Sequence, residues 1–172
     1  MSIFYKIFLT AWGWAGVAFT QDILLQFVLP QKNKKKILTR LEGKPFRGKS
    51  PFLKRLIRDI KAYFNGKRTD FKGYKLDMSL FTEKQKKVMD TLRHIRYGQV
   101  ITYERLARRS GFPRSARFIG NTMSKNIFPL IIPCHRVIRS DGTSGGFSAG
   151  LSYKERMIKL EQCKEKIDFG SK

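Results

Sequence analysis

At Pro51 the apolar residues of this chain change period, and that change constrains the fold more than any other feature. Before it, residues 3 to 30 run as apolar and aromatic stretches broken by turn residues and ending in "ILLQFVLP", the pattern of short strands. After it, Phe52, Leu53, Leu56, Ile57, Ile60, Tyr63 and Phe64 fall on one helical stripe, with Lys54, Arg55, Arg58 and Lys61 opposite. Strands are thus expected before Pro51 and an amphipathic helix after it. In the first stretch, "KIFLTAWGWAGVAFT" predicts two short strands joined by a turn at Gly13 to Gly16. A signal-peptide reading, with Gly16 and Ala18 as the small residues, competes with this. Thr10, Gln21 and Asp22 interrupt the segment, and it is too short to span a bilayer. "QKNKKK" (31–36) reads as a charged loop, and "NGKRTD" (65–70) closes the helix in a turn.

A boundary is expected near residues 76 to 82, dividing the chain into 1–78 and 79–172. Thr82 with Gln85 is a capping-box signature that opens a helix through Val88, Leu92 and Ile95. In "YGQVITYERLARRSGFPRSARFIGNTMSKN", Thr102 caps a short helix to Ser110, Gly111 makes the turn and Pro113 starts the next helix. Two short helices about a glycine turn are a helix-turn-helix pattern. On the second helix Ala116, Ile119, Gly120 and Met123 form the expected inward stripe, while Arg114, Arg117, Asn121 and Ser124 form a polar, basic one. Ser115 and Ala116 are small enough for a backbone or a groove to approach closely. Together with a net charge of +23 on 172 residues, this favours nucleic acid as the partner over an anionic membrane surface.

Two cysteines and two histidines, with no CxxC pair, are too few for a disulfide framework or a structural zinc, and a reducing compartment is expected. Cys134 stands beside His135, just after Leu130 to Ile132, which reads as a buried strand. Neighbours on a strand point to opposite faces, so the pair works together only if Pro133 bends the chain or a water bridges them. Ser152 and Glu155 form a second capping box, opening a helix through Met157, Ile158 and Leu160 with Glu161 at the edge of its apolar face. An acid there is costly without a partner. Glu161 on His135, and His135 on Cys134, would be a nucleophile, base and orienter. A core cysteine and a solvent-facing glutamate remain the alternative. The loop "RSDGTSGGFSAG", Gly145 among its glycines, suits a tight substrate loop and has no phosphate-loop lysine.

These residues resemble the O6-alkylguanine-DNA alkyltransferases. "PCHRV" (133–137) matches that family's active-site signature, at the family's distance from "YGQVITYERLA" and from the arginine of "SARFIGNTMSKN". The resemblance is strong over residues 51 to 165 and faint over 1 to 50. It implies an N-terminal α/β domain with a small ribonuclease-H-like sheet, then a mainly helical, winged-helix-like domain whose recognition helix enters the minor groove and flips the target base. It implies that Cys134 accepts the alkyl group, that His135 (through water) and Glu161 activate it, and that Asn126 holds the turn presenting it. Arg117 would fill the space left by the flipped base, with Arg114, Ser115, Ala116 and Asn121 also at the DNA. The Tyr103 hydroxyl would meet the guanine ring, Val137 and Ser148 would offer backbone groups to the base, and Met123 and Gly145 would complete the pocket.

The implied reaction is single-turnover DNA repair on O6-alkylguanine, with O4-alkylthymine a second candidate. It needs no cofactor and no metal. The implied partner is double-stranded DNA, bound by a monomer with or without cooperativity, in the cytoplasm at the nucleoid or in a nucleus. Three departures bear on specificity: Phe118 and Asn121 stand where many members carry small residues, and Ala149 replaces a common loop glycine. The zinc ligands that some members carry are missing. A non-catalytic binder of alkylated DNA and a general basic winged-helix protein are the competing readings.

Overall fold

The computed structural model describes Ser2–Gln162, so the second cysteine, Cys163, lies outside the described residues. Those residues divide into two compact units: the first is residues 2–80 with Ile127–Pro129, and the second holds the remainder.

The first unit is built on a meander of β1 (Phe4–Thr10), β2 (Gly13–Thr20) and β3 (Ile23–Gln31), all antiparallel. Two short strands, β4 (Lys44–Pro45) beside β1 and β5 (Lys75–Leu76) beside β3, join in parallel, so the sheet runs β4-β1-β2-β3-β5. From Ala15 to Thr20 every residue of β2 is buried, because helices cover both faces of the central strand. Phe19 packs its ring 6.2 Å from that of Phe52 on α2 (Pro51–Phe64). Ala18 and Val28 instead join Ile37 and Leu41 of the segment after β3 in one cluster. Gly16 is what lets that segment approach: a Cβ there would lie 2.5 Å from Ile37 Cγ2.

Two expectations fail here. Residues 31–36 are not simply a loop, because the Asn33 side chain accepts from Lys35 N at 2.8 Å and caps α1 (Lys34–Leu38). The buried Ile37 anchors this turn of helix to the sheet, so tertiary packing outweighs the local charge repulsion. The hairpin also turns at Ala11 and Trp12 rather than at Gly13 to Gly16. There Thr10 Oγ1 accepts from Trp12 N and donates to Gly13 O.

The second unit is mainly helical. The capping box of Thr82 and Gln85 forms in both directions and opens α3 (Glu83–Arg93). Thr102 caps α4 (Tyr103–Arg109), accepting from Arg105 N at 3.1 Å. Val88, Met89 and Leu92 of α3, Leu106 and Ala107 of α4, and Ile119 and Thr122 of α5 (Ala116–Ser124) are buried. A two-stranded parallel ladder, β6 (Ile101–Thr102) with β7 (Val137–Ile138), ties the helix-turn-helix to the segment carrying the thiol.

Four further expectations are corrected. Pro113 does not open α5. Arg114 sits at φ +60° and Ser115 is non-helical, so the helix starts at Ala116. Leu130 to Ile132 is buried but is not a strand: Leu130, at φ +75°, and Ile131 form a turn, and Ile132 makes only an isolated bridge. Ser152 does not cap α6 (Leu151–Gln162). It lies inside the first turn, where Lys154 N already donates to Gly150 O, and Glu155 Oε1 accepts from Ser144 Oγ instead. Finally, of the expected inward stripe on α5 only Ile119 is buried; Thr122 is its buried companion.

Candidate active site

The missing strand decides how the thiol is presented. Pro133 leads into one turn of 3₁₀ helix, Cys134–Arg136, and such a turn points three consecutive side chains in three directions rather than two. Cys134 faces a cavity of about 870 Å³. His135 and Arg136 turn inward to α6. Asn126 braces the entry: its Nδ2 donates to Ile132 O at 2.9 Å, and its amide also hydrogen-bonds the thiol.

Behind the turn, Glu161 is the organising charge. His135 Nε2 donates to Glu161 Oε1 at 2.7 Å, and Arg136 meets both carboxylate oxygens, Nε to Oε2 at 2.9 Å and Nη2 to Oε1 at 3.0 Å. Gly98 N adds a fourth bond at 3.1 Å, and Arg136 Nη1 donates to Ile95 O at 2.6 Å. Burial alone would raise the Glu161 carboxyl, but His135 and Arg136 overrule it and hold it well below the usual range. Burial lowers the His135 pKa despite the carboxylate. The ring is therefore neutral, with its proton on Nε2 and Nδ1 left as the acceptor.

Burial raises the Cys134 thiol pKa, opposed by the Asn126 hydrogen bond and the charge of Lys154. The thiol is thus protonated in the resting site and needs help to ionise. Lys154 is fully buried, and its Nζ donates to Val137 O at 2.5 Å and lies 5.8 Å from the Tyr103 ring centroid. Desolvation pushes its pKa down to about 8. It is the only lysine in the buried core of the described residues. Sequence reading missed it, although a signal was present: Lys154, Met157 and Glu161 recur at three and seven residues on one buried face of α6.

Around Cys134 the cavity is lined by Tyr103, Ala116, Gly120, Met123, Gly145 and Ser148, with Arg114 and Arg139 at its edges. The expected inward stripe of α5 thus faces this cavity with Ala116, Gly120 and Met123. Gly145 is required sterically, since its φ is +64° and a Cβ would lie 2.9 Å from Tyr103 Cε2. Arg117 and Asn121 are exposed and do not line the cavity, and Ser115 is half-buried. Val137 does not line it either: the side chain is buried and the carbonyl is held by Lys154. Arg136 sat within the quoted signature without a role. Among the described residues no group of three or more His, Cys, Asp or Glu is placed to hold a metal, and no helix is long and apolar enough to cross a membrane.

The chain is similar in sequence and in fold to known proteins. Residues 83–163 match the family model of the 6-O-methylguanine DNA methyltransferase DNA-binding domain. The methylated-DNA–protein-cysteine methyltransferase of Methanothermobacter thermautotrophicus is 42% identical over 110 residues, 63% of this chain and 61% of that protein. Its counterpart in Methanosarcina barkeri is 40% identical over 114 residues, 64% of this chain and 69% of that protein. The crystal structure of Mycobacterium tuberculosis OGT in complex with DNA is similar with a TM-score of 0.79 and 28% identity, over 93% of each chain. With these relatives, the chain belongs to the methylated-DNA–protein-cysteine methyltransferases, the family that repairs DNA by moving a methyl group from it onto a protein cysteine.

Proposed function

We propose that this chain removes alkyl groups from O6-alkylguanine in duplex DNA, once per molecule, with Cys134 as the acceptor. The observation that carries this is the single turn that sets Cys134 at the cavity wall while its neighbours His135 and Arg136 are locked to the buried Glu161. In the reaction Sγ bonds to the alkyl carbon and the carbon–O6 bond breaks. Guanine leaves, made a better leaving group by the Tyr103 hydroxyl. The thiol proton passes by way of water to His135, and Glu161 stabilises the imidazolium that forms. Lys154 lowers the cost of the thiolate by its charge. The thioether product is stable, so turnover ends there.

In this reading the flipped guanine enters between α5 and the 139–148 loop, with Met123 and Ser148 against it. Arg117, exposed on the same helix, fills the gap in the duplex, and Arg114, Ser115, Ala116 and Asn121 follow the groove. The first unit is read as ribonuclease-H-like and the described residues of the second as winged-helix-like. The β1–β2–β3 meander and the α4–turn–α5 pair support those finer assignments. The protein acts as a monomer on DNA.

Intact-protein mass spectrometry after incubation with a short duplex carrying O6-methylguanine tests this. The expected result is one added methyl per molecule, mapped to Cys134 and absent in Cys134→Ser. Tight lesion binding without a mass change would replace catalysis with damage marking.

A further inference from the structure

The first unit holds a second surface that plays no part in the thiol chemistry. Residues 1 to 80 contain 17 Lys and Arg against 5 Asp and Glu, a net +12 of the chain's +23. The excess is densest over residues 31–50, where eight basic residues meet one acid, Glu42. Part of it converges on a cleft of about 450 Å³ between β1, α1 and the segment after β4. Lys6, Lys34, Lys35 and Arg47 supply its cations, Tyr5 and Phe46 its aromatic surface, and aliphatic side chains the rest.

The cleft is held in shape. Ile37 ties α1 to the sheet, and the Lys34 ammonium stands 4.9 Å from the Trp14 ring centroid. Phe46 N donates to Tyr5 O at 2.9 Å, the Phe46 ring packs edge-on against Phe4 and Phe19, and Lys6 Nζ donates to Phe46 O at 3.4 Å. Among the described residues, no carboxylate forms a salt bridge with any of the four cations. Like charges gathered around one opening repel in the free protein and are relieved by an anion.

We propose that this cleft binds single-stranded nucleic acid, with phosphates on the four cations and a base against Tyr5 and Phe46. A duplex keeps its bases stacked and would leave the aromatic wall unused, whereas a single strand offers phosphates and base faces together. An anionic bilayer is matched by a row of apolar side chains that project from a polar face, and here Leu38 is the one large aliphatic side chain of the lining that is well exposed, with Tyr5, Ile7 and Phe46 half-buried. Cys134 is no part of this cleft.

The test compares three full-length proteins by fluorescence anisotropy against a labelled oligothymidylate of about 16 nucleotides. They are the wild type, a cleft variant (Lys34→Gln, Lys35→Gln, Arg47→Gln) and a control (Lys54→Gln, Lys61→Gln, Lys67→Gln) that loses the same charge from exposed positions outside the cleft. The cleft variant is expected to bind roughly tenfold more weakly, with a log–log salt slope shallower by about 2, as three lost contacts to a single strand predict. The control should stay close to the wild type. Tyr5→Leu should weaken binding without changing the slope. Methyl acceptance by Cys134 in the cleft variant shows that it is folded, and its failure in the wild type would sink the functional reading while leaving the cleft result standing. Equal losses in cleft variant and control, no loss in either, a loss confined to duplex, or a loss seen only with phosphatidylserine vesicles would each overturn the proposal.

Discussion

Glu161 Oε1 accepts from His135 Nε2 at 2.7 Å while Oε2 accepts from Arg136 Nε at 2.9 Å, so one buried carboxylate fixes two consecutive side chains of the turn that carries Cys134. Removing it in Glu161→Ala leaves the Arg136 guanidinium buried and unmatched. A loss of about 3–5 kcal/mol is expected, read from the urea midpoint. Because the folded carboxyl lies below its ordinary value of 4.5, its stabilisation is complete above that pH and fades as pH falls through the lowered pKa. Acid titration of stability should therefore be flatter in Glu161→Gln than in the wild type. Parallel curves would show that the carboxylate contributes nothing to the pH dependence.

Lys154 makes the opposite test at alkaline pH. Its folded pKa is pushed down to about 8 from 10.5, so between those values the unfolded chain binds a proton that the folded one does not. Stability therefore rises with pH across that window on account of this group. The thermal midpoint of the wild type, measured relative to Lys154→Met, should climb between pH 8 and pH 10. Since Lys154 also lowers the cost of ionising Cys134, the variant should transfer methyl groups more slowly with its lesion affinity little changed.

Two glycines at the cavity should respond in opposite ways. Gly145→Ala forces a Cβ to within 2.9 Å of Tyr103 Cε2 at a φ of +64°, so a cost of about 1 kcal/mol or more and slower single-turnover transfer are expected. At Gly120, inside α5, a Cβ meets nothing within 4 Å. Gly120→Ala should thus stabilise by about 0.5–1 kcal/mol through helix propensity. It should also narrow the pocket, slowing transfer of bulky O6-alkyl groups before methyl. Equal slowing of both would place Gly120 away from the alkyl chain.

Self-repulsion from a charge of +23 should make the free protein sensitive to salt. Screening is weak at low ionic strength and reaches about 10 Å at 0.1 M, so the thermal midpoint should rise as salt is added. Affinity for unmodified duplex should fall over the same range. A midpoint flat in salt would mean that the charges are spaced widely enough not to interact.

Local order was legible in the sequence. The stripe from Phe52 to Phe64, the capping box of Thr82 and Gln85, the Thr102 cap and the pairing of Glu161 with His135 all rest on periods and offsets within one element, or on residue types that only a partner makes tolerable. What failed needed long-range packing. The basic turn at 34–38 is helical because Ile37 finds Ala18 and Val28 across the sheet. The run before Cys134 is a turn because the chain bends at Leu130. Arg136 and Lys154 became site residues only when the turn and α6 were brought together. The sequence by itself determined which groups the chain carries for alkyl transfer, since chemistry is set by residue type. Tertiary structure alone decided which of them are desolvated and face one another, because burial and distance, which shift every pKa at this site, are properties of packing and not of order along the chain.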